Sequence, residues 1–271
     1  MAAFSGDLSG NADFGLGGTS PRGYLHKMKE NTEMIETSNT ILLAAVGDGG
    51  ASGAFLLMTL ASVGFLYLLP VVGRRHVSKV GTYAHEVSHG VVSLLTGGEF
   101  HRFHVGDQGG MCITSGGNRK AVAAAGYIGT VVLGAIFLAR SAQSDALVVT
   151  LQVLAVLLAL STLKAGDLHT AAVGVAVAAI LGLFSTLLPG AMTTRFLLNL
   201  MGVILIWRGF KALKALWGIS ATTARTGSDA EAMGHLTGRS AMHWAVVFGG
   251  IALVAFLVIV GLAVKVGTAI P

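Results

Sequence analysis

The chain has 271 residues, of which 53% are hydrophobic and only 11% charged. A soluble domain carries about 25% charged residues, so this composition excludes an ordinary soluble domain and points to helices in lipid, where each backbone amide must find its partner within its own segment. The net charge of +5 does not indicate nucleic acid, because Lys and Arg flank the apolar segments, where membrane proteins keep them.

Residues 1–50 are polar and glycine-rich, then amphipathic through "MKENTEMIETSNTILLAAV". They read as a tail followed by a short helix on the membrane surface, with plain disorder as the alternative. No basic-then-apolar run opens the chain, so no cleavable signal peptide is expected. Residues 51–271 read as one membrane-embedded domain, an all-α polytopic fold with about seven spans. These lie near 54–73, 80–97, 121–139, 145–163, 170–188, 194–217 and 243–267. With seven spans, twelve Lys and Arg fall on the N-terminal side and six on the other, which favours a cytoplasmic N-terminus. Between the second and third spans, "FHRFHV" and "MCITS" flank the glycine turn "GDQGG", the pattern of a β-hairpin. Such a hairpin needs protein or a water-filled cleft around it, and it offers an edge to an extended substrate by strand addition. Cys112 is the single cysteine, so no intrachain disulfide can form. Gly126, Thr130 and Gly134 make a small-residue face suited to close helix packing.

The second span is the least apolar, and it holds "AHEVSHG" at 84–90. His85 and His89 stand at i and i+4, on one helix face about 6 Å apart, close enough to bind one zinc ion. Glu86 follows the first histidine and can act as general base on water. Composition alone predicts roughly 0.007 such motifs in this chain. An ionisable residue within a span is a functional-site hypothesis by default, and here three cluster. A catalytic zinc needs a third protein ligand. Asp167 in "KAGDLHT" and Asp229 in "GSDAEAM" stand out, followed by His101, His104, His169 and His235. Asp167 has the place of a helix cap. Ser228 and Glu231 have the spacing of a capping box, with Asp229 in the first turn. Spacing does not choose between the two aspartates.

The sequence resembles the site-2-protease-like intramembrane zinc metallopeptidases, and more narrowly the compact bacterial subgroup with a seven-span core and no PDZ domain. The likeness runs over about residues 54–265. It rests on "AHEVSHGVVSLLTGG", the hairpin "FHRFHVGDQGGMCITS", the helix "AAAGYIGTVVLGAIFL" and "SDAEAMGHLTGRSAMHW" before the last span. The resemblance implies that His85 and His89 bind zinc, that Glu86 activates water, and that Asp229 is the third ligand. In one respect the chain departs from better-known site-2 proteases, whose third ligand lies in an Asp-Gly pair: no such pair follows the metal helix here. Under the seven-span scheme Asp229 must dip into the membrane on a re-entrant turn or at the start of a buried helix. The expectation is an intramembrane zinc metalloprotease in the bacterial inner membrane, acting on membrane-embedded or juxtamembrane peptide segments. The alternative is a non-proteolytic (pseudoprotease) membrane subunit that keeps the fold and packs against neighbouring subunits in a larger complex. A transporter finds less support, since beyond the metal cluster and Arg208, near the end of its span, there is no charged relay or broken-helix repeat.

Overall fold

A computed structural model describes residues 50–107, 109–143, 146–188, 190–221 and 227–269. The tail and surface helix expected over residues 1–50 lie outside the described residues, apart from Gly50. In chain order the elements are α1 (Gly50–Leu68), α2 (Val71–Leu95), β1 (Gly98–Val105), β2 (Gly110–Gly116), α3 (Arg119–Ala142) and α4 (Leu147–Ser161, prolonged by a 3-10 turn at Thr162–Lys164). They continue with α5 (Leu168–Leu187), α6 (Ala191–Ser220), α7 (Asp229–Thr237) and α8 (Ala241–Ala269).

Among the described residues, five helices are long and apolar enough to cross a membrane: α3, α4 with its 3-10 extension, α5, α6 from Met192, and α8 up to Gly261. The seven spans expected from hydropathy reduce to five on this criterion, for local reasons at the first two. The segment 54–73 runs through Pro70, and the helix stops there. Proline has no amide to continue the ladder, so α1 ends at Leu68 and Pro70 caps α2, its carbonyl accepting from the Arg74 N–H at 3.0 Å. The segment 80–97 is the later part of a 25-residue helix that begins with Arg74, Arg75, His76 and Lys79. Those residues, with the HEVSH turn, keep α2 below the hydropathy of a span.

The centre of the bundle is α3, packed against α2, α6 and α8. Its glycines set the spacing. A Cβ on Gly134 would stand 3.0 Å from the Gly202 carbonyl, and one on Gly202 would stand 2.8 Å from that of Gly134. The α3 and α6 backbones therefore touch, as small residues allow in membrane bundles. Buried Asn199 of α6 donates to Thr59 of α1 and Ser141 of α3, a polar tie across three helices. One apolar core joins α3, α6, α7 and α8 through Val131, Leu216, Met233 and Phe248. A second joins α3, α4, α5 and α6 through Phe137, Leu151, Leu181 and Leu198. The outward faces carry Leu56 and Leu60, Val153 and Leu157, Val254 and Leu257, the surface expected of helices that face lipid rather than water.

The hairpin forms where the glycine turn predicts it. β1 and β2 are antiparallel, with Phe103 opposite Cys112 and a bulge at His101, between Phe100 and Arg102. That bulge has a purpose legible only in three dimensions. Residues three apart on a strand point to opposite faces, but one extra residue restores the phase, so Phe100 and Phe103 are buried together with Val105. They pack with Tyr83 of α2. The outer edge of β1 is closed by Ala165, which bridges to Phe103, and by the Gly166 N–H bonding the Phe103 carbonyl at 2.8 Å. Among the described residues β2 has no second strand partner.

Candidate metal centre

α2 carries His85, Glu86 and His89 along one turn, and α7 brings Asp229 to them. Asp229 Oδ2 lies 3.2 Å from His85 Nε2 and 3.3 Å from His89 Nε2. The three donor atoms all fall within 4.8 Å of one another. Donors bound to one zinc at about 2.0–2.1 Å in a tetrahedral arrangement stand about 3.3 Å apart, close to these separations.

The hydrogen bonding at His89 bears on what belongs there. Its Nδ1 lies 2.6 Å from the Val122 carbonyl, which can only accept, so Nδ1 carries the hydrogen. A backbone partner of this kind fixes the tautomer and orientation of a metal-binding histidine. In the neutral ring Nε2 then points a lone pair at a carboxylate oxygen, and two such lone pairs repel unless a cation or a proton sits between them. Two imidazoles and a carboxylate also suit zinc by donor type. The residues fit a zinc ion.

The surroundings leave the rings little freedom. Any Cβ on Gly126 of α3 would overlap both imidazoles, so this glycine, part of the small-residue face, makes room for the cluster rather than for a helix backbone. Tyr127 lies edge-on to His85 with centroids 4.7 Å apart and stacks on Phe248 of α8. Glu86 is buried, and Gly110 at the start of β2 abuts its carboxyl group, where a Cβ would come within 2.5 Å of Oε1.

Asp229 arrives on a short helix rather than a loop. Ser228 Oγ accepts the Glu231 N–H at 3.3 Å, the cap half of the box anticipated from the sequence, and a Glu231 carboxylate oxygen accepts the N–H of Gly227, one residue before the cap, at 2.9 Å. Ala230, Met233 and Gly234 bury the helix, which packs on α3 and α8, and Gly238 in the left-handed region ends it. Burial would raise the Asp229 carboxyl above its ordinary range, but hydrogen bonds and charge interactions with the two imidazoles outweigh it and hold it low.

The other candidates lie elsewhere. Asp167 caps α5, accepting the Thr170 N–H at 2.7 Å, and bonds His104 Nδ1 at 2.7 Å. That backbone bond and then His104 bring its carboxyl down to about 2. His101 bonds Ser115, His169 bonds Lys79, and His235 lies 3.7 Å from Glu231. Sequence reasoning did not find the parts played by Val122, Gly126 and Tyr127. The signal available was weak, a single "GYIG" one helix after the metal motif.

A cavity of about 1630 Å³ opens over the cluster, lined by His85, Glu86, His89 and Asp229 and by β2 residues Met111, Cys112 and Thr114. Burial, with the Glu86 and Asp229 carboxylates nearby, pushes the Cys112 thiol up to about 12.

Comparison with curated proteins and with solved structures finds no match. A family model described as peptidase M50B-like matches residues 56–259, a stretch that takes in α2, the hairpin, and the helix bearing Asp229. The match covers most of the chain, and this protein therefore belongs to the peptidase M50B-like family, within the site-2 protease group.

Proposed function

We propose that this chain is an intramembrane zinc metalloprotease that hydrolyses peptide bonds of membrane-embedded or juxtamembrane segments. The observation that carries the reading is the convergence of His85, His89 and Asp229 beside Glu86 in one cavity. Zinc held by the two imidazoles and the carboxylate supplies Lewis-acid chemistry, polarising a carbonyl and lowering the pKa of water. Glu86 takes the proton from the attacking water and returns it to the leaving amine. The Val122 carbonyl orients His89 through its far nitrogen. The free edge of β2 takes the substrate as an added strand, since a helical segment must be locally unwound before its bonds can be reached. In this reading α1 and α2 also cross the bilayer, which makes seven crossings, and residues 51–271 form the membrane-embedded unit of a bacterial inner-membrane protein.

The first experiment is elemental analysis of the detergent-purified full-length protein beside the His85→Ala, His89→Ala double variant. About one zinc per chain is expected, lost in the double variant. Cleavage of a quenched-fluorescent apolar peptide is expected from the wild type and at least about 10²-fold less from Glu86→Gln, as for loss of general base catalysis. Metal-free protein after preparation in zinc-containing buffer would sink the reading and leave a packing subunit with a relic motif.

A further inference from the structure

Arg208 belongs to the part of α6 that is apolar and long enough to span a membrane. Its Cβ and Cγ lie on Gly81 of α2, where any Cβ would overlap them. Nη2 donates to Thr82 Oγ1 at 3.3 Å, while Nε is buried without a hydrogen-bond partner. Among the described residues, no carboxylate lies within ion-pair distance of this guanidinium. Two other cations have partners of their own: Lys79 pairs with Asp107 at 2.8 Å, and Lys211 lies over the Trp207 ring at 5.1 Å.

An ionised side chain among membrane helices is expensive and is normally partnered. Arginine cannot escape by losing its proton, as a buried lysine can. The partner therefore comes with whatever fills the space Arg208 faces. That space is the metal-centre cavity, lined by Gly81, Thr82 and Arg208 together with His85 and Glu86. Thr82 precedes His85 by three residues, so their Cβ atoms stand roughly 5–6 Å apart on one helix face, and the guanidinium bonded to the Thr82 hydroxyl lines the same cavity as the first imidazole. The planar fork of a guanidinium matches a carboxylate in two-point fashion.

We infer that Arg208 is a substrate-anchoring residue that binds a carboxylate of the peptide in the cavity, either an acidic side chain or a free C-terminus, and so selects which peptide bond lies at Glu86. The inference rests on the protease reading for its meaning but not for its test.

The probe is a set of fluorescein-labelled apolar peptides of one length. They are identical except for Glu or Gln at a scanned position, and each is made with a free or an amidated C-terminus. Binding is read by anisotropy on full-length Glu86→Gln protein in detergent, where turnover does not interfere. One carboxylate is expected to tighten binding roughly ten- to hundredfold, as for a charged hydrogen-bonded pair. Loss on Glu-to-Gln exchange identifies the side chain as its source, and loss on amidation identifies the C-terminus. Adding Arg208→Gln to that protein should abolish the preference, and Arg208→Lys should keep part of it. In cleavage by the wild type the effect should fall on KM more than on kcat. Equal binding of acidic and neutral peptides overturns the proposal without any Arg208 variant having to fold. A carboxylate preference in binding with no cleavage of any peptide by zinc-loaded wild type sinks the protease reading and leaves the anchor standing.

Discussion

Gly126 sets two effects against each other. Alanine at a mid-helix glycine favours α-helix by roughly 0.5–1 kcal/mol, so Gly126→Ala should leave α3 intact or strengthen it. The added methyl group would nevertheless stand where the His85 and His89 rings are. The expected outcome is a protein whose metal-free form melts close to wild type, because the ring ends the methyl meets can swing aside, yet which binds zinc at least about tenfold more weakly, since the rings cannot keep their places beside the added methyl group. A zinc titration beside a thermal melt separates the two effects, and undiminished affinity would show that the rings have room elsewhere. Cys112 offers a test by pH. With its thiol pushed up to about 12, almost none is thiolate at neutral pH, and the thiolate is the nucleophile. Maleimide labelling of the metal-free protein should be slow at pH 7 and accelerate about tenfold per pH unit well above pH 9, a range in which an ordinary thiol has already levelled off. At this scale the sequence yields the helix motif readily, because His85, Glu86 and His89 are neighbours. Asp229 is different. It lies 144 residues from His85, and no local pattern expresses a separation of that kind, so only family likeness singled it out from Asp167.

The hairpin is tied to the bundle through Asp167, and its behaviour in acid follows from that tie. Asp167 caps α5, bonds His104 of β1 and accepts from the Thr170 hydroxyl. Thr170 Oγ1 in turn accepts the Val105 N–H at 2.8 Å. The carboxyl pKa is depressed to about 2, so the anion is the form the fold favours. This contribution is fully present above the ordinary carboxylate range near pH 4 and is lost as the pH falls from there through about 2. Because the carboxylate is largely exposed, solvent screens it and the effect is small. Asp167→Ala should lower stability by about 1 kcal/mol, the usual loss for a helix cap. It should also speed amide hydrogen exchange in β1 more than in α3, as mass spectrometry of the two peptides would show. Equal exchange in both variants would mean that the bridge from Phe103 to Ala165 holds the strand unaided. The hairpin itself was legible from its glycine turn and short flanking runs. Its bulge was not, because Phe100 and Phe103 look like residues on opposite faces until the extra residue between them is seen.

Across the whole molecule, the crossing of α3 and α6 at Gly134 and Gly202 decides whether the two apolar cores can coexist. Gly202→Leu places a side chain where the Gly134 carbonyl lies 2.8 Å from a Cβ. Overpacking of this sort typically costs about 1–3 kcal/mol, and here it pushes on backbone that cannot rotate away. The variant should unfold at clearly lower temperature in detergent and lose zinc and fold together, in contrast to Gly126→Ala. Hydropathy reported the five strongly apolar helices faithfully. It could not report α1 and α2 in the same way, because Pro70 cuts the first and the second carries the polar residues of the centre within its own length. One further consequence follows from Asp229 sitting on the short helix just before α8. As the chain is synthesised, the HEVSH turn emerges long before the residue that completes the donor set, and α7, which packs on both α3 and α8, lacks part of its packing surface until α8 is made. A half-made chain therefore carries two histidines but no assembled centre. Chains arrested before Ser228 should retain zinc far more weakly than the finished protein, so under the proposed function the centre would become competent only once α7 is in place.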